Sequence, residues 1–358
     1  MLRFAIVSSF VMILGVAVAA VAAYLVWQSY GAPGPLSETK TVIIQRGSGV
    51  DEIADQLARE GVIGNAYAFR IVTRIEGVSS RLKAGEFAFP AGASQRAVAE
   101  QIAAGRTVVR RLTIPEGLTT FQILALIRNA QGMDGDIGST PQEGELFPDT
   151  YDYRWGDSRE RFVQRLRRTM TETLNEVWNS RARELPLRGP NDAVILASIV
   201  ERETALAAER PRVAAVYLNR LRRGMKLEAD PTVIYGITQG RATLDRPLSR
   251  ADLQQRTQWN TYVVEGLPPT PIANPGRAAL QAVLRPAQSD ELFFVADGNG
   301  GHLFARTLQE HNANVARLRE LERQRARAQG QPVEEEAPQQ PPPQQQQRRP
   351  QQQQQRRN

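Results

Sequence analysis

Asn191-Asp192-Ala193-Val194-Ile195-Leu196-Ala197-Ser198-Ile199-Val200-Glu201-Arg202-Glu203-Thr204 is too apolar through its middle to lie on a surface. Helix formers and β-branched residues alternate here without a polar stripe, and a helix that is hydrophobic all round belongs in a core. Charged residues close the run. A carboxyl group in such surroundings loses hydration, which disfavours its charged form and raises its pKa. An acid that keeps its proton near neutral pH is what cleavage of a glycosidic bond requires. The plainer alternative is a helix ending at the surface, with residues 201–203 as its solvated last turn.

The wheel alone does not choose between the two glutamates. Positions 201 and 203 lie 160° apart at 100° per residue, and each has apolar neighbours. Glu201 shares a face with Val194, Ala197, Ser198 and Thr204, and Glu203 with Leu196 and Ile199. Thr204, at i+3, is placed to orient the Glu201 carboxyl group.

Working outward, 358 residues suggest about two domains plus extras. At 41% hydrophobic there is material for a sizeable core. The net charge of +7 is concentrated at the end, where residues 317–358 hold nine Arg and five Glu. The remainder is nearly balanced, so a nucleic-acid partner is not expected. With no cysteine, disulfides and thiolate metal sites are excluded. Two histidines, His302 and His311, are too few for a His-based zinc site, and no metal is expected. Both are read as orienting backbone rather than as catalysts.

Residues 4–27 carry no charge. As a helix they span about 36 Å at 1.5 Å per residue, enough for a hydrocarbon core about 30 Å thick. Arg3 precedes them, and Trp27 and Tyr30 are expected at the far interface. Because secretory h-regions are shorter, the segment reads as a retained anchor rather than a cleaved signal, with the N-terminus cytoplasmic. The anchor and its Gly/Pro spacer take residues 1–37.

An α+β class follows from the rest. Residues 38–107 read as a small α+β module: a strand at 41–44, helices at 50–60, 67–75 and 94–104, and a strand over 82–89. Residues 108–328 read as a larger α+β domain. It opens with a strand at 108–114 and a helix at 121–129 capped by Thr119 or Thr120. A loop rich in aromatics and acids covers 143–153. Long helices follow at 159–183, at the apolar run, and at 210–223. Proline-punctuated turns come after Asp230, then a strand at 291–295 and a helix at 308–327. Residues 329–358, mostly Gln, Pro, Arg and Glu, cannot bury enough apolar surface to fold and are expected to be disordered.

From residue 108 onward the order of motifs resembles the endolytic murein transglycosylase (YceG-like) family. The stretches are Ile114-Pro115-Glu116-Gly117, Glu143-Gly144-Glu145-Leu146-Phe147-Pro148-Asp149-Thr150-Tyr151, the Ala197–Thr204 end of the apolar run, and Val216-Tyr217-Leu218-Asn219-Arg220-Leu221. They continue with Asp230-Pro231-Thr232-Val233-Ile234-Tyr235-Gly236, Asn260-Thr261-Tyr262, Gly266-Leu267-Pro268-Pro269, Ile272-Ala273-Asn274-Pro275-Gly276 and Phe294-Val295-Ala296-Asp297-Gly298, leading to Gly301-His302 and His311-Asn312.

The resemblance implies an enzyme of the lyase type acting on peptidoglycan. It cuts the β-1,4 bond between N-acetylmuramic acid and N-acetylglucosamine inside glycan strands and leaves 1,6-anhydromuramoyl ends. It implies Glu201 as the acid and then the base, with no cofactor or metal, since the muramic C6 hydroxyl replaces water. It further implies a LysM-like module at 38–107 and a YceG-like catalytic domain at 108–328. The location implied is the outer face of a bacterial inner membrane, beside cell-wall synthases as partners.

Substrate contacts expected are Thr204, Asn260 and Tyr262, with Glu143 and Asp230 as cleft residues and Asp149 as a brace. Asn260 and Tyr262 each have a simpler reading as turn residues, and Asp230, before Pro231, reads first as a turn and helix-start residue. Sugar binding by the module competes with a spacer role, because residues 67–75 exceed a minimal LysM unit. Chains of this type have also been labelled pyridoxal-phosphate-dependent lyases. Such a cofactor needs a Schiff-base lysine, and among Lys40, Lys83 and Lys226 only the last lies in the large domain, without a phosphate-cradling loop. A non-catalytic glycan-binding scaffold for synthases is the other alternative.

Overall fold

A computed structural model describes residues 2–328, so the tail expected over 329–358 lies outside the described residues. Helix α1 (Leu2–Gly31) contains one stretch, Ile6–Gly31, long and apolar enough to cross a membrane, at a mean hydropathy of 2.5. A signal sequence passes the same test. The end of α1 departs from expectation. Tyr30, expected at the far interface, is fully buried, its ring 6.4 Å from that of Phe69. The Arg96 guanidinium lies over the Trp27 ring at 4.9 Å, and Gln95 donates to the Ser29 carbonyl. The small module has helix faces to cover, and the last turn of α1 covers them.

In that module β1 (Lys40–Ile44) pairs antiparallel with β2 (Gly85–Phe89), Val42 opposite Phe87. Between and after them come α2 (Val50–Arg59), α3 (Ala66–Ile75) and α4 (Gln95–Ala104). Asn65 and Ser94 cap the last two by accepting from the amides of Ala68 and Ala97. Val42, Ile44, Ile53, Leu57, Phe69, Phe87 and Ile102 are among those that form a core of the module's own, which Tyr30 joins. Buried Glu86 of β2 takes a two-point bond from Arg110, at 2.7 and 2.8 Å.

Arg110 opens β3 (Arg110–Thr113), which pairs with β4 (Thr150–Tyr153). The loop expected over 143–153 therefore ends as a strand, with Tyr151 and Tyr153 turned inward at a period of two. Helices α5 (Thr120–Asn129), α6 (Arg159–Asn179), α7 (Pro190–Glu203), α8 (Arg210–Arg222), α9 (Asp230–Thr238), α10 (Arg250–Gln254) and α11 (Arg277–Leu284) complete this part. The last three replace turns expected after Asp230. Pro231 sits in the first turn of α9, where its missing N–H has no helical partner to lose. Residues 192–200 of α7 are all buried, against α6, α8, α9 and α11.

The chain divides into two compact units, the second beginning at Glu291. It holds the hairpin of β5 (Phe293–Ala296) and β6 (His302–Ala305), with α12 (Leu308–Ala328) packed on it. His302 meets the Phe294 ring edge-on at 5.2 Å, and His311 stacks on Phe293 at 5.3 Å.

Candidate active site

Glu201 lies in the last turn of α7, where the buried helix runs out of apolar residues. Its side chain is only 3% exposed. One carboxylate oxygen pairs with Nη2 of Arg210 at 2.7 Å. The other accepts the backbone N–H of Gly276 at 2.9 Å. Arg210 is the first residue of α8, and Gly276 directly precedes α11, so three elements converge on one carboxyl group.

A second carboxyl group joins them. Glu116, in the turn between β3 and α5, accepts from both terminal nitrogens of Arg210 at 3.3 Å. Its side chain is 44% exposed, against 10% for Arg210. Gly276 is what admits it, because a Cβ built there would stand 1.8 Å from the nearer Glu116 oxygen. Gly117, at φ +75°, lets the turn pass beside the Glu201 stem, and Arg202 donates to its carbonyl.

Burial pushes the Glu201 carboxyl above its ordinary pKa. The Gly276 N–H opposes this, the charge of Glu116 adds to it, the charge of Arg210 opposes it, and hydrogen bonding with Glu116 adds again. The group is thus drawn toward protonation by its surroundings while its ionised form has two donors waiting.

The remaining expected residues lie elsewhere. Glu143 belongs to a separate buried network. Its Oε1 accepts from the Thr120 amide and hydroxyl and from Asn274 Nδ2, and its Oε2 from Tyr235 at 3.3 Å. Burial raises its pKa too, against those hydrogen bonds. It borders a pocket with Arg167, Asn175 and Pro271, which Glu201 does not line. Tyr262 donates to Asp230 at 2.7 Å, so these two find each other, not Glu201. Asp149 accepts from the Thr150 amide and braces β4.

Asn260 and Thr204 are engaged by other partners. Asn260 is fully buried, and its amide donates to the carbonyls of Leu253 and Gln255 while its oxygen accepts from Tyr262 N–H. It holds a turn. Thr204 does not orient Glu201. The helix stops at Glu203, Thr204 turns extended at φ −136°, and its hydroxyl accepts from the Leu206 amide. The helical spacing that would have placed it near Glu201 ends one residue too soon.

What the sequence reading passed over is the surroundings of Glu201. Glu116 enters there only as part of the Ile114–Gly117 motif, Arg210 as a helix start and Gly276 as one residue of a motif. Glu203, the competing glutamate, lies beside the buried Tyr217 hydroxyl instead. Lys226 donates to the Tyr262 carbonyl.

Residues 42–317 match the sequence profile of the YceG-like family. The chain belongs to that family. Among its relatives is an endolytic murein transglycosylase of Bacillus subtilis, 29% identical over 305 residues, or 76% of this chain and 83% of the relative. Another of the same name, from Streptococcus pneumoniae, is 26% identical over 77% of this chain. The YceG-like chain described here spans 58% of that relative's length. A crystal structure of a YceG-like protein from Listeria monocytogenes aligns with 77% of this chain and 99% of its own, at 28% identity and a TM-score of 0.48.

Proposed function

We propose that this chain is a murein transglycosylase that cuts peptidoglycan glycan strands internally, at the β-1,4 bond between N-acetylmuramic acid and N-acetylglucosamine. The observation that carries the reading is the environment of Glu201: a nearly buried carboxyl group, raised in pKa, with a guanidinium and a backbone N–H set to receive its ionised form. The names of the relatives support the substrate.

In the first step Glu201 gives its proton to the glycosidic oxygen, and the bond from that oxygen to muramic C1 breaks. Arg210 and the Gly276 N–H then stabilise the carboxylate that remains. In the second step the muramic C6 oxygen bonds to C1 and its proton passes to Glu201. The product is a 1,6-anhydromuramoyl end, and the enzyme returns to its starting state. The one carboxyl group acts as acid and then as base, so no water has to be placed. In this reading α1 anchors the enzyme in the inner membrane with residues 38–328 on the periplasmic side. The LysM-like module steadies the strand, and cutting beside a synthase ends or trims new strands.

The test is mass spectrometry of peptidoglycan strands digested by the full chain in detergent micelles, alongside Glu201→Gln. Internal cuts with anhydro ends from the wild type and none from the variant are expected. Reducing ends would make it a hydrolase. Near-wild-type turnover by the variant would remove Glu201 from the role.

A further inference from the structure

The reacting centre holds one buried cation between two carboxyl groups, and only one of these has a place in the reaction above. Arg210 Nη2 bonds Glu201 at 2.7 Å and Glu116 at 3.3 Å, while Nη1 bonds Glu116 as well. With both carboxylates ionised, the trio carries a net negative charge in a place where Glu201 is almost sealed from water. A guanidinium that served Glu201 alone would hold it ionised. Such a group is a poor acid, since it must first recover a proton.

We propose that Glu116 is a positioning residue of the reaction, which draws on the charge of Arg210 and so leaves Glu201 able to hold the proton it must donate. The inference rests on the proposed role of Glu201. Three observations carry it. Glu116 engages Arg210 through both terminal nitrogens. Its carboxyl group occupies the space that any side chain at position 276 would fill, so the chain is built to admit it. Its charge and hydrogen bonding also act on Glu201 in the direction the proposal needs, holding that carboxyl group's pKa up.

The other charged groups around this end of α7 are engaged elsewhere. Arg202 donates to the Gly117 carbonyl, Arg277 pairs with Glu176 at 2.9 Å, and Glu203 stands by Tyr217. Arg210 and Glu116 are the charged groups that bear most directly on Glu201, with the Gly276 N–H as the neutral third partner. Glu116 is 44% exposed, so it meets Arg210 from the solvent side while Glu201 meets it from the buried side.

Glu116→Gln tests this, because it keeps the shape and removes the charge at an exposed position. Two readouts on the full chain in micelles separate this inference from the one beneath it. The first is a ¹³C-carboxyl titration of glutamate-labelled protein without substrate, the Glu201 signal assigned by its loss in Glu201→Gln. In Glu116→Gln that signal is expected to titrate at lower pH than in the wild type. The second is the pH profile of strand cleavage. Its high-pH limb is expected to move down, so that cleavage at pH 8 falls on the order of tenfold while cleavage at pH 5 and strand binding change by less than about twofold. An unchanged Glu201 titration, or a loss of activity uniform in pH, overturns the proposal. Should the wild type make no anhydro ends, the function proposed above fails, and the titration alone still decides what Glu116 does to Glu201.

Discussion

Replacing Arg210 by Met keeps most of the aliphatic stem and removes the charge, and the cost can be worked out from the two partners it leaves. Glu116 is 44% exposed, so on losing Arg210 it regains water, and its share is that of a surface pair, at most about 1 kcal/mol. Glu201 is 3% exposed and has no such recourse. Stranding one member of a buried pair costs about 3–5 kcal/mol, and that figure holds only while Glu201 is ionised. Its pKa is already raised in the folded chain by burial, and losing Arg210 raises it further. A carboxyl group whose folded pKa exceeds its unfolded one contributes stability that is present below the unfolded value and lost as pH rises through the folded value. Arg210→Met should therefore cost about 3–5 kcal/mol at pH 8. At pH 5, where Glu201 can take a proton and keep the Gly276 bond, the cost should drop to about 1–2 kcal/mol. Urea unfolding of the full chain in micelles, followed by tryptophan fluorescence, reads the right unit, because all four Trp precede residue 291. Equal losses at the two pH values, or a larger one at pH 5, would refute the reasoning.

Asn274 is fully buried and accepts from the Leu146 amide while donating to the Leu118 carbonyl, the Thr120 hydroxyl and Glu143. Asn274→Ala strands several of these at once and should cost about 3 kcal/mol or more in the same urea assay; a loss below about 1 kcal/mol would mean that water replaces the amide. Tyr30→Ala empties a fully buried site shared by α1 and the module, which should cost about 3–5 kcal/mol. Hydrogen exchange should rise in α3 and α4, and unchanged exchange there would show that the anchor's last turn does not brace the module.

How far the sequence could be read depended on the range of the interactions involved. The buried helix α7 was legible because its composition alone forbids a surface position. Helices α2, α3, α4, α5 and α8 were legible from their periodic apolar residues, and caps such as Asn65 and Thr119 bear on single turns. β4 was not, since Thr150-Tyr151-Asp152-Tyr153 is short and half polar, and only its pairing with β3 makes it a strand. Helices α9 to α11 were hidden by prolines that signal turns unless they fall in a first helical turn, as Pro231 does. The site was half legible. Glu201 stood out, but the wheel gave Glu203 equal standing. What separates them is an arginine across a helix junction and an N–H 75 positions away, a distance at which local pattern carries no information.

The arrangement around Glu201 also bears on why a single carboxyl group can be enough. Glycosidases that use two carboxylates set them on either side of the sugar, so that one protonates the leaving oxygen while the other attacks or activates water. Here the nearest second carboxylate, Glu116, bonds the same nitrogen of Arg210 as Glu201 does. Both carboxyl groups are thus tied to one guanidinium rather than each standing free to face a sugar. Glu143 and Asp230 are held by Thr120, Asn274 and Tyr262, away from Glu201. A centre with one reactive carboxyl group suits a substrate that brings its own nucleophile, and the muramic C6 hydroxyl is such a group. In the proposed reaction the demand then falls on Glu201 to be a competent acid in one step and a competent base in the next. Burial and Glu116 keep the proton on Glu201 until it is donated, and Arg210 and the Gly276 N–H stabilise the carboxylate between the two steps. Removing either side of that balance should shift the pH range over which Glu201 works, which is why Glu116 and Arg210 have to be tested at more than one pH.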